Sequence, residues 1–162
     1  MHTAPSIEIV IGDWTQLGGD AARIRDAVFV REQGIPADLE WDEDDPRCVH
    51  VVAYRTVPSR EAVATARLLE GGWIGRVAVL KSARRGGLGR LVVEALVETA
   101  RKRGDESARL YAQTYVTPMY EACGFTVVGE PFEEAGIPHI EMIRPLRAQA
   151  TGEALAASSD SN

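Results

Sequence analysis

The sequence predicts an α/β domain of the α+β type, with a mixed, mostly antiparallel central sheet flanked by helices. Three observations predict it. The elements read β–α–β–β–β–α–β–α–β–β, which is neither an alternating βαβ series nor an all-β sandwich. Residues 73–103 hold a strand, a basic glycine loop and an amphipathic helix in immediate succession. At 162 residues, 45% hydrophobic and 26% charged, the chain has the length and composition of one globular domain with a sizeable core.

Ile7 to Ile11 alternates as a first strand. Asp20 is expected to cap a helix through Ile24, Ala27, Val28 and Arg31 that ends near Gly34-Ile35-Pro36. Phe29 and Val30 extend its apolar face. Residues 38–45 follow, six of the eight acidic. They read either as a solvated loop or as a wall that attracts a cationic amine. The glycine and spacing of a calcium loop are absent, so no metal is expected.

Cys48–Tyr54 and Ala62–Leu69 form an antiparallel hairpin about Pro58-Ser59-Arg60. His50 lies inside the first of these strands and reads as a hydrogen-bonded core or rim histidine. Trp73 to Val79 is the central strand, rich in β-branched residues. Leu88, Leu91, Val92, Ala95, Leu96 and Ala100 recur at helical steps, and Gly104 ends that helix. Ala108–Gln113 is a fifth strand. Thr117 as cap and Pro118 in the first turn open a short helix that ends at Cys123-Gly124. Phe125–Val128 and His139–Ile143 are the last strands. From Arg147 the small and polar composition predicts a disordered tail, leaving residues 1–146 as the domain.

Composition narrows the function classes. No apolar run reaches membrane-spanning length, and the N-terminus lacks the apolar core of a signal peptide. The two cysteines, Cys48 and Cys123, do not make a disulfide framework, so a reducing cytoplasm is expected. A net charge of −6 argues against nucleic acid as the main partner.

The junction at Arg84-Arg85-Gly86-Gly87-Leu88-Gly89-Arg90 describes an anion site. The first turn of a helix has unpaired N–H groups and the positive end of the dipole. Glycines admit a phosphate close to the backbone, and arginines add charge. The loop lacks the Gly-Lys-Ser/Thr ending of a Walker loop. It also lacks the third glycine of a dinucleotide fingerprint, because Val92 stands there. It reads as Arg-x-x-Gly-x-Gly on Arg84, Gly87 and Gly89, and a tight strand–helix turn alone would also use glycines.

With that pattern the chain resembles the GCN5-related N-acetyltransferase (GNAT) superfamily, whose acetyl-CoA pyrophosphate loop has this form after a strand like Arg76-Val77-Ala78-Val79. Pro118-Met119-Tyr120-Glu121-Ala122-Cys123-Gly124-Phe125 resembles the tyrosine-bearing helix of the same superfamily. The resemblance covers about residues 6–146. Within it, Val28-Phe29-Val30-Arg31-Glu32-Gln33-Gly34 and Gly136-Ile137-Pro138-His139 are similar to a bacterial subgroup typified by ElaA. Arg25, Phe29, Trp41, Asp42, Asp45 and Arg67 also stand in an order like that of acyl-homoserine-lactone synthases. Those enzymes generally lack so complete a glycine loop and take acyl groups from acyl carrier protein.

The resemblance implies direct transfer of an acetyl group from acetyl-CoA, as cosubstrate, to an amine acceptor of cationic character. It implies donor contacts at Val77, Ala78, Val79, at Arg84 through Arg90 (Arg85, Gly86, Gly87, Leu88 and Gly89 between them) and at Gln113. It places Phe29, Glu32, Trp41 and Asp42 on the acceptor side, and it admits a homodimer. A backbone N–H near Val77 to Val79 would hold the tetrahedral oxyanion. Tyr120 would protonate the leaving thiolate; read by itself it is a core tyrosine with its hydroxyl at the surface. Glu32, Glu70, His50 and a water held by Gln113 remain open as the base. A catalytically silent acyl-CoA sensor would keep the loop and need neither acid nor base.

Overall fold

The computed structural model describes residues 6–40 and 42–147. The expectations for Trp41 and for residues 148–162 fall outside them. Four strands form one antiparallel sheet in the order β1-β2-β3-β4: Ile7–Gly12, Val49–Arg55, Glu61–Leu68 and Ile74–Val79. Three form a second in the order β5-β7-β6, with β5 at Ser107–Gln113, β6 at Thr126–Glu134 and β7 at Ile137–Pro145. Among the described residues, the one ladder link between the sheets is a parallel bridge from Trp73 to Arg109.

Helix α1 runs Trp14–Arg25 and starts six residues before the expected cap at Asp20. Its N-cap is Asp13, which accepts from the Gln16 N–H while the Gln16 side chain accepts from the Asp13 N–H, a capping box. Gly18 lies inside the helix because the Trp14 ring folds back across it; a Cβ there would stand 2.7 Å from that ring. Asp20 instead accepts a 2.6 Å hydrogen bond from the Tyr54 hydroxyl. The helix then widens into a π-helical turn over Asp26–Glu32, a form that recurs at functional sites. Arg31 is exposed on that turn and pairs with Asp26.

Helix α2 is one turn, Ala37–Glu40, and α3 runs Leu88–Arg103. Leu88, Val92, Val93, Leu96, Val97 and Ala100 of α3 are buried against β2, β3 and β5. Leu91, expected inside, is 43% exposed, since Val93 and Val97 share the inner face with the i, i+4 row from Leu88. α1 covers the opposite face of the first sheet, where Leu17, Ala21 and Ile24 meet Val52, Tyr54 and Ala78. α4 spans Thr117–Ala122 with Val116 at its N-cap position; Thr117 is inside the helix and its hydroxyl donates back to the Thr114 carbonyl.

The β6–β7 hairpin is longer than expected. Ala135 and Gly136 both take positive φ, 53° and 76°, as a two-residue hairpin turn requires. Gly129 and Pro131 fall in a bulge between Val128 and Phe132 and do not end the strand. Among the described residues no helix is long and apolar enough to cross a membrane.

Candidate functional site

Gly72 closes one end of a cleft. Its φ is +87°, and a Cβ there would stand 1.9 Å from the Ser107 carbonyl oxygen. That contact lets the chain entering β4 lie against the chain entering β5, beside the Trp73–Arg109 bridge. Past the bridge the strands are not paired, so the two sheets part towards Val79 and Gln113. Val77, Ala78 and Val79 make the β4 wall. This wall carries a bulge: Arg76 and Val77 stand opposite Ala66 alone, with Arg76 at φ 51°. Such a bulge breaks the ladder and re-aims the backbone groups next to it.

The open end carries the glycine loop. Arg85 and Gly87 take left-handed φ, 77° and 75°, which turns loop N–H groups inward as in an anion nest. Gly87 is the N-cap of α3, and no side chain among the described residues caps the helix. The N–H groups of Leu88, Gly89 and Arg90 therefore lack intrahelical acceptors. A Cβ on Gly87 would meet nothing within 4 Å, so the space above it is open. A Cβ on Gly89 would meet Met119 at 3.3 Å and Val79 at 3.7 Å. That glycine thus brings α3, α4 and β4 together at the mouth.

Arg84, expected among the donor contacts, is engaged within the protein. Its two Nη atoms donate to the Glu32 carboxylate at 2.6 Å each, and Nε and Nη2 donate to the Val79 carbonyl at 3.0 and 2.9 Å. It ties the loop to β4 and to the π-helical turn. Arg85 takes no ion pair among the described residues, and Arg90 approaches Glu94 only at 3.8 Å. These two carry the available positive charge. Beside the Arg84–Glu32 pair lies a cavity of about 370 Å³ between Val28 and Glu32 of the turn and Leu80 to Ser82.

Gln113, at the end of β5, donates to the Gln33 side chain at 3.3 Å. It spans the cleft mouth from β5 to the residue after the π-helical turn. Tyr120 is buried, edge-on to Phe125 at 6.2 Å. Burial, and then the nearby Cys123 thiol, push its hydroxyl above the ordinary tyrosine range, so it stays protonated. Phe29 is half-buried and packs on the small core under α1.

The acidic stretch is not an open wall. Asp45 is buried and accepts from both Nη atoms of Arg25 at 3.0 and 2.9 Å and from Arg67 at 2.7 Å. Asp42 accepts from Arg67 at 2.7 Å and from Arg76 at 3.4 Å. Glu40 accepts from Arg25 at 2.5 Å. Arginines of α1, β3 and β4 thus neutralise these carboxylates; Asp38 and Glu43 stay exposed. The periodicity of the arginines carried no hint of this, because Arg25 and Arg67 look like surface residues until their partners are known.

The candidate bases sort by place. His50 is fully buried, its Nε2 donates to the Asp45 carbonyl at 2.9 Å, and burial holds its pKa below the ordinary value. Glu70 lies at the closed end, in the turn before β4. The hydrogen bonds from Arg84 hold Glu32 below the carboxylate range, so it stays ionised and a weak base. Gln113 remains at the mouth. Cys48, His50 and Asp45 come within 4.8 Å of one another, but two arginines already occupy the Asp45 carboxylate.

The comparisons agree with the fold. A model of the acetyltransferase (GNAT) domain matches residues 28–146. The uncharacterized N-acetyltransferase YjcF of Bacillus subtilis is 37% identical over 129 residues, 77% of this chain and 90% of that protein. Escherichia coli ElaA has a similar structure, with TM-score 0.75 and 30% identity over 85% of this chain and 99% of its own. An acyl-CoA N-acyltransferase from Pseudomonas aeruginosa gives TM-score 0.74 and 31% identity, covering 86% and 99%.

Proposed function

Because the chain belongs to the acetyltransferase (GNAT) domain family, we propose that it moves an acetyl group from acetyl-CoA to an amine by direct attack. The observation that carries this reading is the parting of β4 from β5 with an uncapped helix and an open Gly87 at the mouth. The donor pyrophosphate would rest on the N–H groups of Gly87 to Arg90, with Arg85 and Arg90 supplying charge. The thioester arm would run into the cleft, where backbone N–H groups beside the Arg76 bulge would meet the oxyanion. The nitrogen lone pair forms the new C–N bond, the C–S bond breaks, and CoA leaves as a thiolate. Tyr120 would give that sulfur a proton, and the proton shed by the new amide nitrogen would leave to solvent, from which Tyr120 is reprotonated. Its hydroxyl is protonated at neutral pH, and burial makes it a weaker acid than an ordinary tyrosine, so it would assist the departure of the thiolate and not precede it.

The domain would end near Leu146, where the family match ends. We place the reaction in the cytoplasm, in keeping with two free thiols. The acceptor is an amine that is cationic in solution; with Asp42 and Asp45 paired to arginines, Asp38 and Glu43 are the exposed carboxylates of the acidic stretch that would attract it.

Calorimetry with acetyl-CoA and with CoA tests the donor site. Gly87→Glu adds a side chain and a negative charge above the open N–H groups and should abolish most binding. Equal binding by parent and variant would refute the placement, and no binding by the parent would refute the function.

A further inference from the structure

The outer face of the second sheet carries rings that the fold does not need. Ala108, Leu110 and Ala112 of β5 turn inward to the core, so Arg109, Tyr111 and Gln113 turn outward. The register puts Ile143, Glu141 and His139 of β7 beside them, and Phe132 of β6 beside His139. Four rings follow one another in contact. Trp73 to Tyr111 is 5.0 Å between centroids, Tyr111 to Phe132 is 5.4 Å edge-on, and Phe132 to His139 is 5.9 Å stacked. Tyr111 is 51% and Phe132 39% exposed. A contiguous exposed aromatic strip marks a contact surface.

The strip is continuous with the cleft. His139 is the cross-strand neighbour of Gln113, and Gln113 reaches Gln33 beside Glu32. It also lies on the face of the sheet away from α3, whereas the glycine loop opens α3. A donor held at that loop leaves the outer face free for the acceptor. His139 is oriented for a task there. Its Nδ1 lies 2.7 Å from the Ile137 carbonyl. A carbonyl only accepts, so Nδ1 carries the hydrogen and Nε2 keeps a basic lone pair.

We propose that this strip is the acceptor site, that it takes primary amines on an aromatic body, and that His139 Nε2 removes the ammonium proton. The inference rests on the acetyltransferase reading. The ring of the acceptor lies against Tyr111 and Phe132, and its ammonium points along the strip to Gln113. The proton passes to His139, directly or through one water at Gln113, and then to solvent. The neutral amine attacks the thioester. The charged groups on this face are Glu141, which faces Arg109 at 3.8 Å, and Glu134 beside the hairpin turn; Glu32 stands across the mouth, tied to Arg84.

The test uses the full chain, acetyl-CoA, and phenethylamine against butylamine, following thiol release. Phenethylamine should have the higher kcat/KM by about tenfold, the worth of one good ring contact, and Phe132→Ala should erase the difference through KM. His139→Gln should lower kcat by roughly 10²-fold while leaving the KM preference for phenethylamine in place, because it removes the base and not the ring contact. Saturation-transfer NMR of phenethylamine, with and without CoA, reads binding without turnover. Signal in the parent and loss in Phe132→Ala supports the site. Equal use of the two amines, no signal in the parent, or parent-level kcat in His139→Gln overturns it. Calorimetry of CoA on every protein separates the readings. A failed CoA titration removes the acetyltransferase reading, whereas CoA binding without the ring contact removes only this one.

Discussion

Asp45→Asn should be among the most damaging single-atom changes in this protein. Asp45 is 2% exposed and accepts three charge-assisted hydrogen bonds, at 3.0 and 2.9 Å from Arg25 and 2.7 Å from Arg67. Each such bond is worth about 1.5–3 kcal/mol, and much of the sum is offset by taking the carboxylate out of water. Removing one partner leaves two nearly buried guanidinium groups without their shared anion, which costs about 3–5 kcal/mol. At roughly 2–4 °C per kcal/mol for a domain of this size, Tm should fall by on the order of 10 °C. Urea melts at several pH values add a second signature. Burial pushes the Asp45 carboxyl up, but the hydrogen bonds from Arg25 and Arg67 outweigh it and hold it below the ordinary value. Its contribution is therefore complete above about pH 4, the unfolded value, and is lost as pH falls through the depressed folded value. The gap between the parent and the Asp45→Asn variant should narrow over that acid range. Asp38→Asn, at an exposed site, should change stability by less than about 0.5 kcal/mol. A change of under about 1 kcal/mol for Asp45→Asn, or a gap that does not depend on pH, would refute the ion-pair account and restore the acidic stretch as a solvated loop.

The remaining predictions concern the cleft. Gly72→Ala should destabilise the fold by at least about 1–3 kcal/mol, because the added Cβ meets Ser107 and the positive φ is strained; an unchanged Tm would remove Gly72 as the closure. Tyr120→Phe should reduce turnover by roughly 10²–10⁴-fold with little change in CoA affinity; parent-level turnover, with chemistry rate-limiting, would end its acid role. Glu32→Gln should cost little stability, on the order of 0.2–1 kcal/mol for a half-exposed pair. It should also tighten CoA binding by freeing Arg84 and removing a carboxylate from the mouth, and weaker binding on calorimetry would contradict this.

Much of the fold was legible because its signals are local. Alternation gave the strands, the row from Leu88 to Ala100 gave α3, and Gly104 gave its end, where φ is +94°. The misses have long-range causes. The start of α1 was missed because glycine is a poor helix former, yet Gly18 leaves the room that the Trp14 ring needs. β6 looked finished at Val128, because a bulge over Gly129 and Pro131 reads as a turn when the partner strand is unknown. The Arg84–Glu32 pair was not legible because the loop motif records position only, while Glu32 lies far back in sequence. His139 stands inside the motif Gly136-Ile137-Pro138-His139, but only the β5–β7 register places it beside Gln113.

The cleft is held open from two ends by residues with no side chain. At Gly72 the chains entering β4 and β5 close to a distance that any Cβ would forbid, and at Gly89 the first turn of α3 reaches Met119 and Val79. The strands therefore meet at one end and diverge at the other, while the helix start is drawn over the divergent end. A pair of parallel strands in an intact ladder would bury the same backbone groups in hydrogen bonds. Here the bulge at Arg76 and the loss of pairing leave those groups beside a helix N-terminus. Fixed dipoles and open space thus meet where a thioester carbonyl would gain charge. Arg76 adds to this from behind: its guanidinium contacts Glu40 and Asp42, so the network around Asp45 also braces the bulge. Damage to that network should loosen the β4 wall before it unfolds the domain; on the proposed reading, the acidic stretch would then act on turnover through backbone placement.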